Sequence, residues 1–450
     1  MGKYFGTDGI RGEAYVDLTP DLALRVGKAF GCYLRELYPD LSVEVAIGKD
    51  TRLSGDMIEN SLVSGLITSG VSVQTFGIVP TPAVSRLVPR MGLQAGIVIS
   101  ASHNPIRDNG IKLFDGKGYK LSDSAEARIE TLMDNPEKAS IKPSGEGTLK
   151  EAPDAPSQYV SSVVSLYPRD MLKGIKIVAD CAHGATYWTT PTALSELGAQ
   201  VTAINKEPDG NKINVLCGST HPENLRSYTR ENKVDFDVGL AHDGDGDRVF
   251  AFDRDGTLID GDIMMSFCAL DRHNRAELSG NGVVGTIMTN EGIIDFLKSK
   301  GISLYRSDVG DKFVLRDMMK LNFKIGGEQS GHLIFLDYVQ SGDGLITILE
   351  YIRTLIRSNF TILHEKENIH FYHQKLTNLK VQDQFSILES PQFQTSLQKI
   401  TASAPQVRIN VRPSGTEPLI RILTEARKKE DVESIAQEIS ALVQSNQSLP

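Results

Sequence analysis

Ala95-Gly-Ile-Val-Ile-Ser-Ala-Ser-His-Asn-Pro105 runs from a short, continuously apolar segment straight into a polar loop. Upstream, residues 21–38 read as a helix, 43–47 as a strand and 56–69 as a second helix, with 71–76 and 80–90 continuing the alternation. Short apolar strands between amphipathic helices imply a largely parallel sheet covered on both faces. In open sheets of this kind ligands gather beyond the carboxyl ends of the strands, so Ser102 stands where chemistry is usually done.

The alternation recurs downstream. A polar stretch rich in Pro, Gly and Ser, residues 135–157, reads as a linker. A second pass follows, with strands at 175–180, 201–204 and 236–241 and helices at 190–197 and 222–232. A third places helices at 262–272, 292–300 and 312–320 around strands at 283–286 and 303–306, closed by a long helix at 343–357. The last part differs: two strand-like runs flank an Arg-Pro-Ser-Gly-Thr turn, and a helix follows near 430–443. The expected fold class is α/β, three similar domains with mixed, largely parallel sheets and a smaller C-terminal α+β domain. The expected boundaries are 1–150, 151–253, 254–365 and 366–450.

The 450 residues exceed one ordinary core, which agrees with several domains. A net charge of −9 argues against a broad nucleic-acid surface, so any anion site must be local. Cys32, Cys181, Cys217 and Cys268 form no C-x-x-C pair, which disfavours a thiolate zinc site and a disulfide scaffold. The first residues lack a signal-peptide core, and no apolar run approaches the ~18 residues that span a bilayer. No membrane partner and a cytoplasmic location are expected.

The surroundings of Ser102 do not match G-x-S-x-G, which disfavours a hydrolase elbow. Asn109-Gly-Ile-Lys112 returns to strand pattern and brings a cation back towards the same rim. The segment also reads as a plain polar connection with Ser102 capping a helix.

Phe236-Asp-Val-Gly-Leu-Ala-His-Asp-Gly-Asp-Gly-Asp-Arg248 sets Asp243, Asp245 and Asp247 at alternate positions directly after a buried-type strand. Gly244 and Gly246 let the backbone bend so that the three carboxylates converge. Two carboxylates at ~4 Å repel by about 4 kcal/mol at an effective dielectric near 20, so the cluster asks for a cation. Oxygen ligands select magnesium or calcium. Counted from Asp243, the sixth residue is Arg248 and the twelfth Arg254, so the EF-hand pattern fails. Arg248 stands ready to pair with Asp247 or a phosphate; a solvated acidic turn is the plain alternative.

Phe5-Gly-Thr-Asp-Gly-Ile-Arg-Gly12 offers a Gly-rich turn with one cation, Arg11. Arg412-Pro-Ser-Gly-Thr-Glu-Pro418 combines a guanidinium, two hydroxyls and an open backbone, a good phosphate cradle. Gly326-Gly-Glu-Gln-Ser-Gly-His332 carries Glu328 and Ser330, spaced for vicinal sugar hydroxyls, and the lone His332. Gly27, Gly48 and Gly116 each precede a Lys, but Ala29, Asp50 and Gly118 follow, so no Walker motif exists.

Together these segments resemble the α-D-phosphohexomutase superfamily, closest to its glucosamine branch. The matching stretches are FGTDGIRG from Phe5, IGKDTRLSG from Ile47, GIVISASHNPIRDNGIKLF from Gly96, HDGDGDR from His242, GGEQSGH from Gly326 and RPSGTEP from Arg412. Ser-Ala-Ser-His-Asn-Pro, Gly-Glu-Gln-Ser-Gly-His and Val309-Gly-Asp favour the glucosamine branch over phosphomannomutase/phosphoglucomutase relatives. Lys312-Phe313 stands where that branch usually has Arg-Tyr.

The resemblance implies four domains around a central cleft and an isomerase-class intramolecular phosphotransferase. It would interconvert glucosamine 6-phosphate and glucosamine 1-phosphate through a 1,6-bisphosphate, which also serves as activator; a phosphomannomutase/phosphoglucomutase with the same mechanism is the alternative. Ser102 is expected as a phosphoserine beside Mg2+ held by Ser102, Asp243, Asp245 and Asp247. Arg11 and Lys112 are expected near the transferring phosphate, with Lys112 and His103 as candidate bases. Glu328, Ser330 and His332 are expected at the sugar, and Arg412, Ser414, Gly415, Thr416 and Arg421 at the other phosphate. A role in amino-sugar and cell-wall precursor supply follows from the resemblance alone, with a homodimer left open. A phosphosugar sensor and a metal-dependent phosphatase are the rival classes.

Overall fold

A computed structural model describes residues 2–6, 8–135, 137, 146–414 and 418–447. Helix Pro20–Leu37 shows why the outer layers form. Thr19 caps it by accepting from the Leu22 amide, Pro20 fits its first turn, and Ala23, Val26, Phe30 and Leu34 bury one face. It packs closely on helix Gly55–Thr68: a Cβ at Gly27 would stand 2.4 Å from the Leu62 carbonyl oxygen, and one at Gly65 2.4 Å from that of Leu24. The central strands Ala95–Ile99, Val238–His242 and Gly282–Thr286 are buried at every position, as strands covered on both faces must be.

The three larger units share one strand order. In the first, Ser72–Ile78, Glu44–Lys49 and Ala95–Ile99 lie side by side and parallel, and Asp108–Asp115 follows antiparallel. The second repeats this with Gln200–Ile204, Lys176–Asp180, Val238–His242 and the reversed Val249–Phe252. The third does so with Ser303–Ser307, Gly282–Thr286, Ile325–Gly327 and the reversed Leu333–Phe335. In each, the turn from third to fourth strand carries a motif singled out above: Ser102, the three aspartates, or Glu328 with His332. The fourth unit is an antiparallel sheet of His373–Lys380, Leu419–Ala426 and Arg408–Pro413, backed by helices Pro391–Ser403 and Lys429–Gln447.

Several local expectations change. The end of the expected linker is ordered: Leu149–Glu151 adds a parallel strand to the first sheet, and helix Ala155–Val164 begins inside the stretch. The strand is exposed throughout, as an edge strand can be, so its residues carry no apolar signal. Residues 136 and 138–145 of that stretch lie outside the described residues. The Gly-rich N-terminal turn leads into strand Ile10–Glu13, antiparallel to Asp108–Asp115. In the fourth unit His373–Lys380 adds a third strand that the sequence did not suggest, because no position in it is fully buried. Ser102 caps no helix; its loop reverses directly into Asp108–Asp115.

One apolar cluster runs unbroken through the first three units, joining Phe76 and Val84 to Tyr159 and Leu240 and on to Phe335 and Tyr351. A polar knot sits beside it. The Arg86 guanidinium donates to Ser162 Oγ and O at 2.7 Å and to the Tyr338 carbonyl at 2.6 Å. The Tyr159 hydroxyl lies 3.0 Å from both carboxylate oxygens of Asp343. Burial pushes the Asp343 carboxyl from the ordinary 3.8 up to about 6, with the Ile346 amide, Arg86 and Tyr159 restraining the rise. Ionising it as pH climbs through 6 therefore removes stability, and the Tyr159 bond limits that loss. Tyr159→Phe is expected to destabilise by about 1–2 kcal/mol at pH 8 and by less at pH 5, read from denaturant melts at both pH values.

Candidate active site

Two of the equivalent turns meet face to face. Ser102 sits in the left-handed region at φ 53°, fully buried, and its hydroxyl donates to Asp243 Oδ2 at 2.6 Å. Its carbonyl accepts from Asn214 Nδ2 at 2.8 Å, a contact from the second unit. Glycine is required for this approach: a Cβ at Gly244 would stand 2.8 Å from the Ser102 carbonyl oxygen. Gly246, at φ +70°, supplies the bend that turns Asp245 and Asp247 inward.

The three carboxylates converge as their spacing suggested, each offering an oxygen within 4.8 Å of the others. All are buried, and Asp245 Oδ1 and Asp247 Oδ1 have no hydrogen-bond partner. Burial first, then the charges of Asp247 and Asp245, push the Asp243 carboxyl well above its ordinary range. Converging buried oxygens with unused lone pairs fit a hard divalent cation, and no nitrogen or sulfur ligand competes in the group. The buried triad is a metal-type site.

Cations surround it. Lys112 Nζ, on Asp108–Asp115, lies 2.8 Å from Asp245 Oδ2, 3.3 Å from Asp247 Oδ2 and 3.4 Å from Asp8 Oδ2. Burial works against its charge, but Asp245, Asp8 and Asp247 outweigh it and hold the ammonium well above its ordinary range. Arg11 pairs with Asp8 and donates to Asn104 Oδ1 at 3.2 Å. Arg248 donates its amide to Asp243 Oδ1 at 3.2 Å, and its Nε stands 3.8 Å from Asp247 Oδ1. His103 Nδ1 is 3.4 Å from Ser102 Oγ; burial, then Arg248 and Arg11, push the imidazole down to about 4, so it is neutral at pH 7.

From the third unit His332 reaches in, Nδ1 3.5 Å from Asp247 and Nε2 3.6 Å from Asp311. Burial opposes its charge, yet Asp247 and Asp311 raise its pKa. Lys120 bridges Asp311 to Asp8 and closes the ring. Above the ring opens a cavity of about 510 Å³, walled by Asp8, Arg11, His103, Lys120, Asp247, Arg248, Glu328 and His332, a volume that suits a small-molecule site. Glu328 Oε1 accepts from the Gly310 amide at 2.9 Å and its Oε2 from Ser330 at 3.2 Å. Ser330 faces an adjoining hollow with Asp260 and Met288.

Arg412 and Arg421 stand directly opposite one another on paired strands, and Arg421 Nη2 donates to Ser414 Oγ at 3.3 Å. Burial and then Arg421 lower the Arg412 pKa, while Asp308 and Glu328 act on it across the gap between units. Among the described residues no carboxylate pairs with either guanidinium, and Arg421 Nε is buried without a partner. Two adjacent, unneutralised forks suit a phosphate dianion. Gly415 and Thr416 lie outside the described residues.

Sequence reading missed Asp8, Thr81, Lys120 and Asp311. Thr81 gives Asp245 a 2.5 Å hydrogen bond from its hydroxyl and a 2.9 Å bond from its amide to the carbonyl. Asp8 and Asp311 sat inside quoted motifs, Phe5–Gly12 and Val309-Gly-Asp, but carried no sign of their partners.

Models of phosphoglucomutase/phosphomannomutase domains match in succession: alpha/beta/alpha domain I over residues 2–140, domain II over 157–256, domain III over 260–368 and the C-terminal domain over 376–442. The chain belongs to the phosphoglucomutase/phosphomannomutase family. Within the family it is 42% identical over 449 residues to phosphoglucosamine mutase of Clostridioides difficile, covering 99% of each chain. It is 43% identical to that of Desulforamulus reducens, over 98% of this chain and 99% of the other. A family protein of Burkholderia thailandensis shares the fold at TM-score 0.80 and 23% identity, over 99% and 98% of the two chains. So does Aspergillus fumigatus N-acetylphosphoglucosamine mutase, solved with GlcNAc-6P and magnesium, at TM-score 0.67 and 16% identity over 99% and 96%.

If magnesium is the cation that the triad suits, Asp245→Asn is expected to weaken its binding at least roughly tenfold, the loss that even an outer-sphere partner can cause. Isothermal titration with magnesium chloride measures it, with circular dichroism to show the fold retained.

Proposed function

We propose that this cleft interconverts glucosamine 6-phosphate and glucosamine 1-phosphate, with Ser102 carrying the phosphoryl group between the two positions. The meeting of the Ser102 hydroxyl with the Asp243–Asp247 carboxylates, 2.6 Å from Asp243, is the observation that carries this reading. Full-length likeness to proteins named phosphoglucosamine mutase supports the choice of sugar.

The unphosphorylated Ser102 hydroxyl donates a hydrogen bond to Asp243 Oδ2. Once phosphorylated it has no proton to give and sets a dianion against three carboxylates, an arrangement that needs a cation between them. Magnesium, when bound by Asp243, Asp245 and Asp247, supplies that charge neutralisation. In the first transfer the bond from phosphorus to Ser102 Oγ breaks as the free sugar hydroxyl forms its own bond to phosphorus. The hydroxyl proton leaves to a base, and Ser102 Oγ ends protonated. His103, neutral and beside Ser102 Oγ, is placed to pass that proton between the two oxygens. Lys112 is fully charged and serves as a counter-ion.

The product is a 1,6-bisphosphate. After it turns over, its 6-phosphoryl returns to Ser102 by the same step reversed, leaving the 1-phosphate. Glu328 and Ser330 hold ring hydroxyls, with His332 beside them at the transferring group. Arg412, Ser414 and Arg421, with Gly415 and Thr416 of the same sequence motif, grip whichever phosphate is not reacting. Because they sit on a separate unit, they read charge and geometry without reading the ring.

In a coupled assay with glucosamine 6-phosphate and added 1,6-bisphosphate, Ser102→Ala is expected to fall below about a thousandth of wild-type turnover. Wild-type turnover in that variant removes the carrier role. Arg412→Ala is expected to raise KM for glucosamine 6-phosphate by about 10–100-fold, the worth of a charge-assisted phosphate contact, with kcat less affected.

A further inference from the structure

Ile47-Gly-Lys-Asp-Thr-Arg-Leu-Ser-Gly55 has no part in the chemistry above, yet one of its side chains is built into the Ser102 turn. Arg52 is 3% exposed and Asp50 2%. A guanidinium has five N–H groups, and here each has an acceptor. Nε donates to Asp50 Oδ2 at 3.0 Å. Nη1 donates to the carbonyls of Pro105 and, at 2.8 Å, Asp108. Nη2 donates to those of Ser102 at 3.0 Å and Asn104 at 2.8 Å. Three carbonyls of the loop and that of Asp108, where the next strand begins, thus fold inward around one buried cation.

The same ion pair holds the other side of Ser102. Asp50 Oδ2 also accepts from Ser100 Oγ at 2.6 Å, and Ser100 Oγ accepts the Ser102 amide at 2.8 Å. Ser102 is therefore fixed through its amide by way of Asp50 and through its carbonyl by Arg52. This matters because a left-handed backbone is strained for a non-glycine residue, and the tethers oppose its relaxation away from Asp243. The second unit, whose turn carries no nucleophile, has no such guanidinium at the matching place among the described residues. There Asp180, ending the first strand, accepts from the Ala182 and Gly218 amides at 2.9 Å and bonds the Asn205 side chain.

We propose that Arg52, clamped by Asp50, is the positioning residue that holds the Ser102 turn in its transfer-ready conformation. It touches neither sugar nor phosphate and acts through Ser102. The inference rests on Ser102 being the phosphoryl carrier.

The test compares full-length wild type, Arg52→Ala, Arg52→Lys, Ser100→Ala and Ser102→Ala, using glucosamine 6-phosphate with glucosamine 1,6-bisphosphate and a thermal melt of each. Arg52→Ala is expected to lose about 100-fold in kcat, the cost of a small misplacement at the reacting atom, with KM within about threefold of wild type. Arg52→Lys should stay below about a tenth of wild-type kcat, because an ammonium cannot fork to four carbonyls. Millimolar guanidinium should restore part of the Arg52→Ala rate. A folded Arg52→Ala with kcat within about threefold of wild type overturns the proposal, as does full activity in Arg52→Lys. If Arg52→Ala does not fold, Ser100→Ala decides: a roughly fivefold fall in kcat at constant KM supports the clamp, and an unchanged kcat overturns it. Wild-type turnover in Ser102→Ala brings down the carrier reading itself, whereas an inactive Ser102→Ala beside an active Arg52→Ala sinks the clamp alone.

Discussion

Negative charge packed where water cannot reach it governs this structure. Asp243, Asp245 and Asp247 leave a buried strand with their oxygens within 4.8 Å of one another, and no arrangement of a 450-residue chain tolerates that without compensation. The compensation comes from elsewhere in the sequence: Lys112 from the first unit, Arg248 beside the cluster, and His332 from the third. Asp8, Lys120 and Asp311 then tie Lys112 to His332. Each unit supplies charge that the others leave unbalanced.

The second organising feature is repetition. Each of the three larger units reverses direction between its third and fourth strands, and each reversal lies at the carboxyl end of a buried parallel strand. One turn presents a hydroxyl, the next a cluster of oxygens, the third a carboxylate and an imidazole. Three copies of one architecture, turned towards a common point, have been given different side chains.

Much of this was legible because burial writes itself into sequence. Residues 95–99 carry no polar residue and 236–241 only Asp237 near the start, and the observed strands Ala95–Ile99 and Val238–His242 follow closely, the second beginning just past that aspartate. Edge strands escaped for the opposite reason: Leu149–Glu151 and His373–Lys380 lie against solvent and can be polar at will. In the site, the motifs showed which groups gather but not their ionisation. Sequence proximity to Ser102 makes Lys112 a candidate base, yet its charge is held by Asp245 and Asp8, more than a hundred positions away in each case. Thr81 and Asp311 gave no signal, since an ordinary helix start and a Gly-Asp pair say nothing about what faces them.

The C-terminal hairpin stands apart in one respect. The first three units are fused by continuous oil, whereas the fourth has an interior of its own and meets the third through groups such as Arg408 on the Ile287 carbonyl and Glu425 on the Glu291 amide. Water can substitute for each of those polar contacts, so they resist parting less than shared hydrocarbon does. The arginine pair thus stands on a unit whose interior is separate from the one beneath Ser102, and the two can shift independently at the cost of polar contacts alone.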